Sequence, residues 1–129
     1  MDGFEGRKGS QKKQIGLNAE KIAAAYLESH GYRIIDRNFY CKAGELDIIA
    51  IQNEELVFVE VRSRHSEESL SPLFTLTDKK RRSIKKAAQV YVTKKSIERP
   101  VRFDFIVVTM TPEPQIEIFE NVFFELPTG

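Results

Sequence analysis

Cysteine and histidine are scarce in this chain: among 129 residues there is one cysteine and there are two histidines. A lone Cys41 excludes an internal disulfide and fits a reducing cytoplasm. His30 and His65 stand apart, so no zinc pattern forms, and no glycine-rich phosphate loop or base-reading motif is present. No apolar run approaches the roughly 20 residues of a membrane helix. The start, Met1-Asp2-Gly3-Phe4-Glu5-Gly6-Arg7, has no apolar stretch behind its charges and does not read as a secretory signal. A cytoplasmic location away from the membrane is therefore expected. The net charge is only +1, which argues against a polycation that coats nucleic acid indiscriminately. What remains is 41% hydrophobic and 30% charged residues, the make-up of one soluble globular domain.

Apolar spacing divides the chain into elements. Residues 1–10 are polar and read as a flexible tail, leaving 11–129 as a single domain. From Gln11 to His30, Ile15, Ala19, Ile22, Ala23, Tyr26 and Leu27 recur at helical intervals, with Gly31 as the stop. Tyr32–Tyr40 reads as a strand interrupted at Asp36-Arg37-Asn38. Glu45–Ile51 and Glu55–Arg62 read as a hairpin around the polar Gln52-Asn53-Glu54. Residues 63–77 read as a mobile loop. A second helix, Thr77–Lys94, has the stripe Ile84, Ala87, Ala88, Tyr91 and Val92; Arg102–Thr109 and Ile116–Phe119 are the last strands. The order α-β-β-β-α-β-β predicts an α/β domain, one sheet flanked by helices.

Charge is unevenly spread. Asp78 is the single acid against Lys79, Lys80, Arg81, Arg82, Lys85, Lys86, Lys94 and Lys95, and a smaller basic cluster (Arg7, Lys8, Lys12, Lys13) lies near the start. Cations are disfavoured at a helix N-terminus, so Lys80, Arg81 and Arg82 suit phosphate contacts better than helix stability.

The acids gather in the hairpin. Side chains two apart on a strand share a face, which pairs Glu45 with Asp47 and Glu60 with Arg62. A turn centred on Asn53-Glu54 sets Asp47 opposite Glu60 and Glu45 opposite Arg62. Facing carboxylates repel, and a hard divalent cation, Mg²⁺ or Mn²⁺, would relieve the conflict. The alternative is an ordinary charged, solvent-facing hairpin side. Leu56 and Phe58 on the same face as Glu60 count against it.

Gly44-Glu45-Leu46-Asp47-Ile48-Ile49-Ala50 followed by Val57-Phe58-Val59-Glu60-Val61-Arg62-Ser63-Arg64 resembles the YraN-like family of small bacterial proteins. That family looks like a branch of the PD-(D/E)xK nucleases and is similar to the archaeal Holliday junction resolvases. Gly16 to Glu20, Ala23, Tyr26-Leu27, Gly31-Tyr32, Ile35 to Asn38, Ala87-Ala88, Tyr91 and Arg102-Phe103-Asp104 extend the match to about Gly16–Val108. The resemblance implies a restriction-endonuclease-like three-layer fold with a central mixed sheet. It further implies Mg²⁺- or Mn²⁺-dependent hydrolysis of DNA phosphodiesters, on branched or damaged substrates, and a homodimer as in resolvase-like relatives. Asp47 and Glu60 would hold the metal with the Val61 carbonyl, Glu20 would approach it, and Glu45 would support it. Arg64 joins Lys80, Arg81 and Arg82 as a candidate for binding nucleic acid.

Position 62 departs from the superfamily pattern, which has lysine there. Arginine does not deprotonate in practice, so Arg62 is excluded as a general base but can grip a phosphate and offset its charge. Lys42, Arg64 and Lys80 are candidates for the missing ammonium. Two other readings stay open: a nucleic-acid-binding module with a decayed site, and an interaction adaptor that uses the fold as a scaffold.

Overall fold

A computed structural model describes residues 3–66, 72 and 76–122, with side chains from residue 11 onward. Its elements are α1 (Gly3–Ser29), β1 (Arg33–Cys41), β2 (Gly44–Gln52), β3 (Glu55–Arg64), α2 (Asp78–Lys95), β4 (Val101–Thr109) and β5 (Gln115–Phe119). The strands form one mixed sheet in the order β1-β2-β3-β4-β5. Only β3 and β4, joined through α2, run parallel; the other neighbours are antiparallel.

The helices cover opposite faces. Ala19, Ala23, Ala24 and Leu27 of α1 pack on Ile48, Ala50, Val57, Val59, Val61, Ile106 and Val108. Ile84, Ala87, Ala88 and Tyr91 of α2 pack on Leu46, Ile49, Leu56, Phe58, Phe105 and Val107. Adjacent strand residues thus serve different cores, which explains the near-continuous apolar runs in β3 and β4. The result is the three-layer α/β arrangement that the element order implies.

Several boundaries differ from the expectation. α1 begins at Gly3, where a loose tail to residue 10 is expected. No proline interrupts this stretch, and a helix anchored by packing extends one hydrogen bond per residue. β3 continues to Arg64, so Ser63 and Arg64 belong to the sheet rather than to a loop, paired with Val108 and Thr109. Of the loop expected at 63–77, residues 67–71 and 73–75 lie outside the described residues. β1 is not interrupted at Asp36-Arg37-Asn38: a register shift between Ile34 and Asp36 and a positive φ of 53° at Asn38 absorb the irregularity. No helix among the described residues is long and apolar enough to cross a membrane.

Candidate active site

β2 and β3 turn through Asn53 and Glu54, both at positive φ (49° and 70°), the backbone of a two-residue hairpin. Register then runs from Gln52↔Glu55 to Ile48↔Val59. Asp47↔Glu60 would come next, but the ladder stops there. The Asp47 carboxylate instead accepts a hydrogen bond from the Val61 amide at 2.8 Å, standing in for the missing backbone acceptor. Side alternation breaks as well, since Leu46 joins Ile49 on the α2 side while Ile48 and Ala50 face α1. The strands part at the acids.

Glu60 is only 4% exposed. Arg62 Nη1 lies 2.8 Å from its Oε2, and Lys80 Nζ lies 3.9 Å from the same oxygen. Burial first, and then the charge on Asp47, push its carboxyl up to about 8; Arg62 and Lys80 oppose the rise without cancelling it. Leu46, Ile48, Phe58, Val59 and Ile84 line the crevice between the two acids, which leaves no volume for a water molecule. Glu20 approaches from α1. Its Oε1 is buried with no hydrogen-bond partner. Burial, followed by the charges of Asp47 and Glu45, raises its carboxyl, and Arg37 lowers it.

Other expected members lie elsewhere. Glu45 does not pair with Arg62: it stands opposite Tyr40 of β1, whose hydroxyl it pushes up, while Arg62 is tied to Glu60 and donates to the Val61 carbonyl at 3.4 Å. The facing of Glu45 and Arg62 fails because the strands have separated before it. Of the three ammonium candidates, Lys80 reaches Glu60; Lys42 is exposed in the β1–β2 turn, and Arg64 Nε donates to Thr109 Oγ1 at 2.9 Å. Thr77 caps α2 by accepting from the Lys80 amide, which fixes that residue's backbone beside the site. Arg81 Nε donates to the Leu76 carbonyl, and Arg82 is exposed.

Among the described residues, no three acidic, histidine or cysteine side chains form a group able to hold a metal ion. Asp47, Glu60 and a backbone carbonyl nevertheless suit Mg²⁺, which takes one or two carboxylates and keeps several waters. Repelling acids and an orphaned Glu20 oxygen are the features such a cation would relieve.

The far end of the sheet supplies a control. Asp104 is fully buried, yet it accepts from Tyr32 Oη (3.0 Å), Arg102 Nε (3.0 Å) and Nη2 (3.0 Å), and the Asn121 amide (2.9 Å). Arg102 also pairs with Glu55 at 2.9 Å and donates to Gln52. That cluster is charge-balanced and satisfied; the Asp47–Glu60 end is neither. Sequence reasoning missed this network and the approach of Arg37 to Glu20. The available signal was Arg102 and Asp104 two apart in a buried-type strand, where charges require partners.

Residues 19–108 match the uncharacterised protein family UPF0102. A UPF0102 protein of Geobacter sulfurreducens is 45% identical over 114 residues, covering 86% of this chain and 89% of the relative. Another, from Caldanaerobacter subterraneus subsp. tengcongensis, is 43% identical over 103 residues, covering 79% and 84%. The matched span contains Glu20, Glu45, Asp47, Glu60, Arg62 and Lys80 together with both cores, and on that basis the chain belongs to the UPF0102 (YraN-like) family.

Proposed function

We propose that the protein is a metal-dependent nuclease that binds DNA and hydrolyses phosphodiester bonds at the parting of β2 and β3. One observation carries the reading: buried Glu60 stands beside Asp47, which the neighbouring cations leave unneutralised. Asp47, Glu60 and the Val61 carbonyl would hold Mg²⁺ or Mn²⁺, with Glu20 completing the acidic wall. The cation would supply charge neutralisation and Lewis acidity at the phosphoryl group. Arg62, held against Glu60, keeps that carboxylate oriented. Lys80 and the exposed Arg82 offer positive charge to the backbone of the strand, an electrostatic term weakened by salt.

The test is incubation of the purified protein with duplex, single-stranded and branched DNA in Mg²⁺ or Mn²⁺. Cleavage that Asp47→Ala and Glu60→Gln abolish supports the proposal; cleavage surviving Asp47→Ala refutes this site. A second reading, DNA binding without turnover, is favoured by the engagement of Arg62 with Glu60 and the Val61 carbonyl. It predicts salt-sensitive binding, no cleavage, and gain of cleavage in Arg62→Lys.

A further inference from the structure

Helix α1 overruns the sheet. Ile15 continues the stripe of Ala19, Ile22 and Ala23, yet it is 46% exposed because no strand lies beneath it. It forms one wall of a cavity of about 610 Å³ with Lys12, with Ser63, Arg64 and His65 at the end of β3, and with Met110 after β4. The wall is fixed: the Met110 amide donates to the Arg64 carbonyl at 2.8 Å, and Arg64 Nε holds Thr109 Oγ1 at 2.9 Å.

The cavity adjoins the acidic site by two routes. Ser63 lies two residues beyond Val61 on β3, roughly 7 Å along the strand. Ile15 lies five residues before Glu20 on α1, roughly 7.5 Å along the helix. The lining chemistry is the reverse of the acidic site's. No carboxylate contributes; there are two cations, an imidazole, an aliphatic wall and a thioether.

A flat heteroaromatic carrying a negatively charged tether matches that lining. Its size lies within the range of small-molecule sites and admits one base with its sugar. Bases of an intact duplex are stacked and paired, and are not available to such a recess. We propose that this cavity receives an unpaired nucleobase next to the phosphate presented to Asp47 and Glu60. The substrate is then DNA with a single-stranded segment, at a flap, gap or junction. This inference rests on the nuclease reading and gives it a substrate class. Lys12 and Arg64 hold the flanking phosphates, and Ile15 and Met110 contact the base faces, a mode tolerant of sequence.

The experiment is fluorescence anisotropy on the full chain without divalent metal. The probes are a labelled thymidine 12-mer, the same strand annealed to its complement, and the strand with one central abasic position. Ile15→Glu places a carboxylate in the recess at an exposed position, and a thermal melt confirms folding. The wild type is expected to bind the single strand roughly tenfold more tightly than the duplex, and Ile15→Glu to lose roughly tenfold for the single strand alone. Equal affinity for the two forms, or an Ile15→Glu variant that binds the single strand like wild type, overturns the cavity assignment. If the wild type then still cleaves in Mg²⁺, the nuclease reading stands without it. Single-strand preference lost in Ile15→Glu but with no cleavage keeps the cavity and removes the nuclease reading; no binding to any probe overturns both.

Discussion

Glu60 and Asp104 are buried carboxylates in neighbouring strands with opposite roles. Asp104 meets four donor groups, so truncating it strands Arg102 and Tyr32 rather than freeing them. Asp104→Ala should cost about 3–5 kcal/mol in urea unfolding, the range for breaking a buried pair. Glu60 has the reverse signature, because its folded pKa of about 8 lies above the ordinary 4.5. Below the lower value both states carry the proton and nothing changes. Between the two, the unfolded chain ionises while the folded one does not, so stability falls as pH rises. Of order 3–5 kcal/mol is lost by pH 9. Glu60→Gln removes that penalty: its melting temperature should exceed that of wild type by several degrees at pH 8.5 and match it near pH 5. A variant no more stable than wild type at pH 8.5 would show that Glu60 is relieved by its neighbours.

At the scale of elements, the start of α2 is held in two ways. Thr77 caps it, and Ser83 Oγ donates to the Ala43 carbonyl at 2.5 Å, pinning the β1–β2 turn. Gly44 makes the close approach workable. A Cβ at Gly44 would meet Ser83 Oγ at 2.5 Å, on a backbone with φ of 156°. Gly44→Ala should destabilise by about 1–3 kcal/mol in chemical denaturation, with partial recovery in the Gly44→Ala/Ser83→Ala double variant. Thr77→Ala should cost about 1 kcal/mol. It should also weaken DNA binding, measured by anisotropy, by loosening Lys80. Helices and strands were legible because apolar period and turn residues are local: the Asn53-Glu54 turn set the β2–β3 register that the backbone follows up to Ile48↔Val59. What periodicity missed was the end of that register, where a side chain replaces a backbone acceptor, and the extension of β3 to Arg64 through parallel pairing with β4.

Across the whole molecule, the sheet has one end closed by a satisfied ionic network and one end left acidic. Every expected site residue named on α1, β2, β3 and α2 lies towards the acidic end, except that Arg64 is turned to Thr109. If the acidic end holds a cation, Mn²⁺ should raise the melting temperature of wild type at pH 8 and leave Asp47→Ala unchanged, as ligand linkage requires. The Mn²⁺ effect should shrink at pH 6, where Glu60 keeps its proton against the ion.

The sequence by itself determined the element order, the stripes of both helices, the hairpin register and the placing of Asp47 near Glu60. All follow from periods of two and 3.6 residues and from a two-residue turn. Tertiary structure alone decided that β3 and β4 pair in parallel, which buries Glu60 and Asp104 side by side in the sheet with different company. It also decided that Lys80 rather than Lys42 or Arg64 meets Glu60, and that Arg62 turns to Glu60 rather than Glu45. These outcomes depend on which distant segments share a wall, and burial and charge there are set by neighbours more than 15 positions away in the chain, beyond the reach of any local pattern.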